Sequence, residues 1–201
     1  MRFLEKVQKL TTAFPVETCR FEENASFYGL HPNADSRPRH IVFQPMTEET
    51  VNNLVASYRG PFPKDLLHLY RHMNGFALFW TTISLSRANI VIPYCLFSLY
   101  GVPPEPRRYT YQPYNIRIED LAKPNHSPDS WLKFGSYHPP YDIEQFLELY
   151  IDTDTQQVYS VDKANPECCI LQQWDSLDDC LCSVFDQLAE AYPTMSGVDA
   201  L

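Results

Sequence analysis

The clearest hydrophobic pattern in the chain lies in residues 62–75, Phe-Pro-Lys-Asp-Leu-Leu-His-Leu-Tyr-Arg-His-Met-Asn-Gly. Leu66, Leu69, Tyr70 and Met73 recur at helical spacing and predict a helix with one apolar face. Pro63 suits the first helical position, where a missing N–H costs nothing. Asp65 places a negative charge in the first turn, and Asn74-Gly75 supplies left-handed residues that stop the helix. An apolar run, Phe76-Ala-Leu-Phe-Trp80, follows at once and reads as a strand.

The same periods predict the other elements. Phe3, Val7 and Leu10 line one side of a helix over residues 2–13, and Thr47 followed by Glu48 and Glu49 caps a second helix through Tyr58. A closing helix over 176–192 carries Leu177, Leu181, Val184, Phe185 and Leu188 on one face, is capped by Asp175 or Ser176 and ends at Pro193. Strands are expected at 40–44, 76–85, 90–100, 131–135, 146–152, 157–161 and 169–171, with a hairpin turn at 153–156. Residues 14–38 read as a loop or irregular extension, 101–114 as an extended Pro- and Tyr-rich loop, and 116–123 as a short helix ended by Pro124. Helices and strands do not alternate as in a doubly wound sheet, so the fold class is α+β. The expected organisation is an N-terminal helix and extension over 1–45, a main domain over 46–193 and a tail over 194–201.

Charge changes this picture more than composition does. Residues 141–201 hold thirteen acidic residues and one basic residue, Lys163, whereas 1–140 carry fifteen basic and twelve acidic residues. An acidic C-terminal part disfavours nucleic acid and anionic membrane and favours a basic partner. The competing reading is a solvated acidic surface that keeps the protein soluble. The most apolar stretch, 76–102, is broken by Arg87, Asn89 and Pro93 and reads as strands rather than a membrane helix. The N-terminus interrupts its apolar residues with charges and lacks a secretory pattern. Six cysteines in a chain of 201 residues then read as reduced thiols of a cytoplasmic protein.

Candidate chemistry is sparse. The chain has no Gly-x-Ser-x-Gly, His-Glu-x-x-His, phosphate loop or dinucleotide fingerprint, and its six glycines leave little material for one. His68 and His72 have a zinc-compatible i, i+4 spacing but lack a third ligand at convincing spacing, so an exposed pair is expected. On the closing helix Cys180 borders the apolar face and Cys182 points away from it, so at most one of the two is expected to be buried. Asp152-Thr-Asp154 lacks the glycine and glutamate of a calcium loop and reads as a turn. No cofactor, metal or catalytic residue is expected.

Candidate contact surfaces are easier to name. Pro103-Pro-Glu-Pro106-Arg107-Arg108 fits a Pro-x-x-Pro-x-Arg pattern. Tyr100, Arg107, Arg108, Tyr109, Tyr111 and Tyr114 offer residue types enriched at interaction hot spots, although the rings of this loop could equally pack it onto the sheet. A second patch comprises Tyr137, Tyr141 and Asp142, and the hairpin adds Asp152 and Asp154.

The helix with its Pro63 start and Asn74-Gly75 stop resembles the SUKH superfamily, which includes yeast cell-wall-synthesis regulators and bacterial immunity proteins. Trp131-Leu-Lys-Phe-Gly135-Ser is similar to the family's strand with an apolar-Gly pair. Leu149-Tyr-Ile-Asp-Thr-Asp-Thr-Gln-Gln-Val-Tyr159 is similar to its acidic-turned hairpin, and Gln173-Trp-Asp-Ser-Leu-Asp-Asp-Cys-Leu181 to its ending. Together these segments span residues 62–192. The hairpin lacks the family's usual glycine, so Thr155 or Gln156 must adopt the turn, and 101–114 is longer than a minimal member needs. The resemblance implies a mixed or antiparallel sheet flanked by helices. It also implies a non-catalytic immunity protein that neutralises a toxin domain, a basic nuclease or deaminase, by binding it. A regulatory or scaffold module without a toxin is the alternative. Monomer and homodimer are both compatible with the sequence.

Overall fold

The computed structural model describes residues 1–30, 38–58, 60–85, 90–103, 111–118, 130–140, 142, 144–162 and 169–195, and only the backbone of 82–85, 90–93, 117–118 and 169. The described chain builds an α+β fold around one ten-stranded sheet. The strands are β1 (Arg20–Phe21), β2 (Ala25–Tyr28), β3 (His40–Phe43), β4 (Phe76–Leu85), β5 (Ile90–Leu99), β6 (Arg117–Ile118), β7 (Trp131–Tyr137), β8 (Leu147–Asp152), β9 (Val158–Asp162) and β10 (Cys169–Trp174). They run β1-β2-β3-β4-β5-β7-β8-β9-β10, with β6 pairing β7, and all of these pairs are antiparallel. Four helices accompany them: α1 (Arg2–Thr12), α2 (Glu48–Ser57), α3 (Lys64–Tyr70) and α4 (Leu177–Ala191). No helix among the described residues is long and apolar enough to cross a membrane.

The helices cover one face of the sheet. Phe3 and Leu10 of α1, Leu66 and Leu69 of α3, and Leu181 and Leu188 of α4 share a buried cluster with Phe76, Phe97, Leu99, Phe134 and Leu149 of the strands. The ring of Phe3 lies 5.3 Å from Phe76, 6.2 Å from Phe97 and 6.1 Å from Phe185. Burying that one side chain removes enough apolar area to contribute about 2–3 kcal/mol.

The start of α1 is capped in trans. Met1 offers no side-chain cap. Instead, the Asp178 carboxylate at the start of α4 accepts the backbone N–H groups of Arg2 and Phe3 at 3.1 and 3.0 Å. Arg2 also donates to Asp178 at 3.0 Å and pairs with Asp179, and Lys6 pairs with Asp186 at 2.7 Å. Burial alone would raise the Asp178 carboxyl, but the Phe3 N–H and Arg2 outweigh it and hold it below its ordinary value. The division into an acidic C-terminal part and a basic N-terminal part is therefore not a division in space.

Three expectations are corrected. Residues 14–38 are not only loop, because β1 and β2 extend the sheet beyond β3, with Ala25 and Phe27 packed on Ile41 and Phe43. The sheet thus runs unbroken across residue 45. Arg117–Ile118 pair with β7 as a strand instead of beginning a helix, and 119–123 lie outside the described residues. Cys182 is buried as well as Cys180, because α1 lies against the side of α4 that the apolar stripe leaves out.

Strand alternation breaks where Phe79 of β4 meets Leu96 of β5. Leu78 and Phe79 both turn to the helical face, as do Leu96 and Phe97 opposite them. Phe79 achieves this with a φ of 57°, which is costly for a bulky side chain. Its N–H, turned out of the ladder, is accepted at 3.2 Å by Nδ1 of His40. The other ring nitrogen of His40 lies 2.7 Å from the Met195 carbonyl, which can only accept, so His40 is neutral with its proton on Nε2. Burial pushes its pKa down to about 4. A depressed histidine pKa favours folding above its unfolded value of about 6.5 and removes that contribution as pH falls toward the folded value. Stability should therefore drop on the order of 3 kcal/mol between pH 6.5 and 4 from this group. Urea midpoints measured across that range should show it, and His40→Gln should flatten the slope.

The corner between α3 and β4 is the second local constraint. Gly75 has a φ of 89°, and a Cβ there would sit 2.5 Å from the Leu99 carbonyl oxygen. Gly75→Ala combines forbidden backbone with a backbone clash and should cost about 2–4 kcal/mol, read as a lowered denaturation midpoint.

Candidate functional site

The face of the sheet away from these helices carries the candidate site. Ala77, Trp80 and Cys95 of β4 and β5 pack with Ala25, Phe27, Ile41 and Phe43 there, beside Tyr111. Farther along the same face Trp131 stacks on Tyr159 at 4.7 Å and lies 5.6 Å from Tyr150. Between these groups Lys133 and Glu148 form an ion pair, both nearly inaccessible to solvent. Tyr150 donates to the same carboxylate at 2.7 Å, and the Lys133 ammonium lies 5.7 Å from the Tyr100 ring. Removing one member of a buried pair strands the other charge. Lys133→Met should cost about 3–5 kcal/mol in chemical denaturation, and adding Glu148→Leu should recover more than half of it.

Three cavities linked by shared lining residues begin on this face and reach the start of α2. One of about 310 Å³ is lined by Trp80, Tyr94, Tyr100, Tyr114, His138 and Phe146, over a floor of Ser98 and Ser136. The two serine hydroxyls bond each other at 2.8 Å, and Tyr94 Oη lies 3.1 Å from His138 Nδ1, with the two rings 4.3 Å apart. Trp80 and Tyr114 also border a second cavity of about 430 Å³, reached by Tyr111 and Pro113. That one shares Phe43, Pro103 and Pro113 with a third of about 600 Å³, which ends at Glu23, Glu49 and the start of α2.

The register explains why these side chains converge. The bulge at Phe134 in β7 resets the alternation, so that Ser136 faces this side while Tyr137 faces the helices. Ser98, opposite Ser136 in β5, then meets it across the strands. Both are small, which leaves the space that the surrounding rings enclose.

The residues expected at the surface divide into groups. Tyr100 is buried but its ring edges the aromatic cavity, 5.6 Å from Tyr114. Tyr111 is half-buried against Phe27 at 5.2 Å and borders the second cavity. Tyr137 is buried in the helical face, where its hydroxyl donates to Gln172 at 3.1 Å and burial pushes it up to about 12. Asp152 is fully buried and organises the hairpin, accepting the Asp154 N–H at 3.0 Å. Tyr137 and Asp152 thus belong to the interior and offer no contact surface, since each side chain is spent on an internal partner. Asp142 and Asp154 are exposed. Arg107, Arg108, Tyr109 and Tyr141 lie outside the described residues. The hairpin turn is taken by Gln156, at a φ of 62°.

The sequence pattern does not single out Trp80, Tyr94, His138 and Phe146 as site residues. A regular alternation would have assigned the faces of β4 and β5, but the inversion at Phe79 and Leu96 hides them. His138 falls inside the Tyr137–Asp142 patch, which was the one available signal.

The four cysteine side chains among the described residues are weak nucleophiles. Burial raises the thiols of Cys19, Cys95, Cys180 and Cys182, with Cys95 pushed up to about 12, so at neutral pH they stay protonated. His68 and His72 are exposed with rings 4.7 Å apart, and His72 Nδ1 lies 2.9 Å from the His68 carbonyl oxygen. Among the described residues no three His, Cys, Asp or Glu side chains come together as metal ligands. No family model matches the chain, and no curated protein or solved structure does.

Proposed function

We propose that the protein is a non-catalytic binding module of the SUKH kind, an immunity protein that neutralises a basic toxin domain, a nuclease or deaminase, in the cytoplasm. The observation that carries this reading is the distribution of exposed carboxylates. Arg2 and Lys6 neutralise the acids on the α1 side of α4. Asp142, Glu144, Asp154 and Asp175 remain exposed, and none has a lysine or arginine within salt-bridge distance among the described residues. A chain of net charge −9 whose Arg2 and Lys6 are paired at the α1–α4 seam attracts a basic surface and repels polyanions. The sequence resemblance over 62–192 adds the functional class.

A regulatory or scaffold module with a signalling partner is the second reading, favoured by the Pro- and Tyr-rich segment 101–114. Affinity capture of the tagged chain from its native lysate at low salt separates the two. The immunity reading expects one basic toxin domain, released as salt rises. Signalling or cell-wall factors would support the alternative. With the captured toxin, Asp142→Lys combined with Glu144→Lys should slow association about tenfold at low salt and far less at high salt.

A further inference from the structure

The three cavities form a row linked by shared lining residues, from the helix-free face to the start of α2, and the geometry points to what this row binds. It docks an extended, cationic segment of a protein partner, with an arginine or lysine side chain held in the cavity between Trp80, Tyr94, Tyr100 and Tyr114. This deepens the binding-module reading and rests on it for the partner's charge.

The first argument is the chemistry of the lining. Five of the nine described residues around the smallest cavity are Trp, Tyr or Phe, enough to surround a side chain with ring faces. The ring quadrupole presents negative faces, which attract an ammonium or guanidinium once both are desolvated. The Tyr100 and Tyr114 rings meet edge to face at 5.6 Å, and Phe146 stands 5.1 Å from His138, so the walls differ in orientation. No described residue lining any of the three cavities is a lysine or arginine.

The second argument is the charge at the ends. Glu23 and Glu49 border the far cavity, at the exposed first turn of α2. At the other end Phe146 follows directly on the turn that carries Asp142 and Glu144, where the Asp142 carboxylate accepts the Gln145 N–H at 3.2 Å. Carboxylates near both ends complement a segment that carries basic residues. Three cavities joined through shared lining residues suit an extended backbone rather than a compact ligand.

The test follows the Trp80 indole N–H by nitrogen-15 NMR of the full chain, with Trp80→Phe assigning the signal. The probe is an acetylated, amidated nonapeptide of alternating arginine and valine, compared with the same peptide bearing glutamate for arginine. The arginine peptide should shift Trp80, and Tyr114→Ser or Glu49→Lys should each weaken it about tenfold. Both positions are exposed, and Glu49→Lys keeps the test decisive if removing the tyrosine disturbs the fold. Glu190→Lys, on the helical side, should leave binding unchanged. Equal binding of the glutamate peptide, an unmoved Trp80 at saturation, or an equal loss in Glu190→Lys would overturn the groove. A captured basic partner that binds Tyr114→Ser and Glu49→Lys with unchanged affinity would also overturn it while leaving the binding-module reading intact. Failure to capture any basic partner removes that reading alone, and the peptide titration still judges the groove.

Discussion

The corner at Asn74 and Gly75 is the contact on which the two faces of the sheet depend. The Asn74 N–H reaches the Gln44 carbonyl at 3.1 Å, and the Gly75 carbonyl accepts the Phe43 N–H at 3.2 Å. The Asn74 side chain donates to the Val102 carbonyl and accepts its N–H, both at 2.8 Å, as a strand neighbour would. One dipeptide therefore fixes α3, β3, β4 and the chain leaving β5. A Cβ on Gly101 would also collide with Asn74, so the approach is close from both sides. Without that closure Phe76 and Leu99 could not be held in register under Phe3, nor Pro103 beside Phe43 at the groove.

The sheet uses its two faces differently. The helical face is almost wholly apolar, and its stability follows from area removed from water. The other face mixes stacked rings, a buried ion pair and hydroxyls, all of which require partners in fixed directions. Such a surface gains less from burial and more from geometry. It is also where the cavities lie, since small residues and polar pairs leave volume that a tightly packed apolar layer would fill.

Much of this architecture was readable from residues alone. Helical periodicity and caps located α2 and α4 within a residue or two, because Thr47 and Ser176 do accept the N–H groups of Thr50 and Asp179, whereas α3 begins after Pro63 and stops at Tyr70, three residues short of the expected Met73. Short strands at the N-terminus escaped because Arg20–Phe21 and Ala25–Tyr28 are too brief to show a period and gain their order from β3. Cys182 was misplaced because a helical wheel knows only its own stripe, whereas α1 buries a second side of α4. The aromatic cavity was hidden for a related reason. It is assembled by a bulge and an inverted phenylalanine, and both are tertiary outcomes that no local pattern announces.

The pairing of Arg2 and Phe3 with Asp178 joins residues about as far apart as this chain permits. During synthesis α1 leaves the ribosome long before α4, yet neither its capping carboxylate nor Phe185 is available until α4 has emerged. The Arg39 contact with Thr194 and the His40 contact with Met195 postpone closure further still. Until then the first helix is a short amphipathic segment with an unburied phenylalanine, too short to be stable by itself. The nascent chain must therefore extend past α4 before α1 can settle, and α1 is a natural foothold for a chaperone at the exit tunnel.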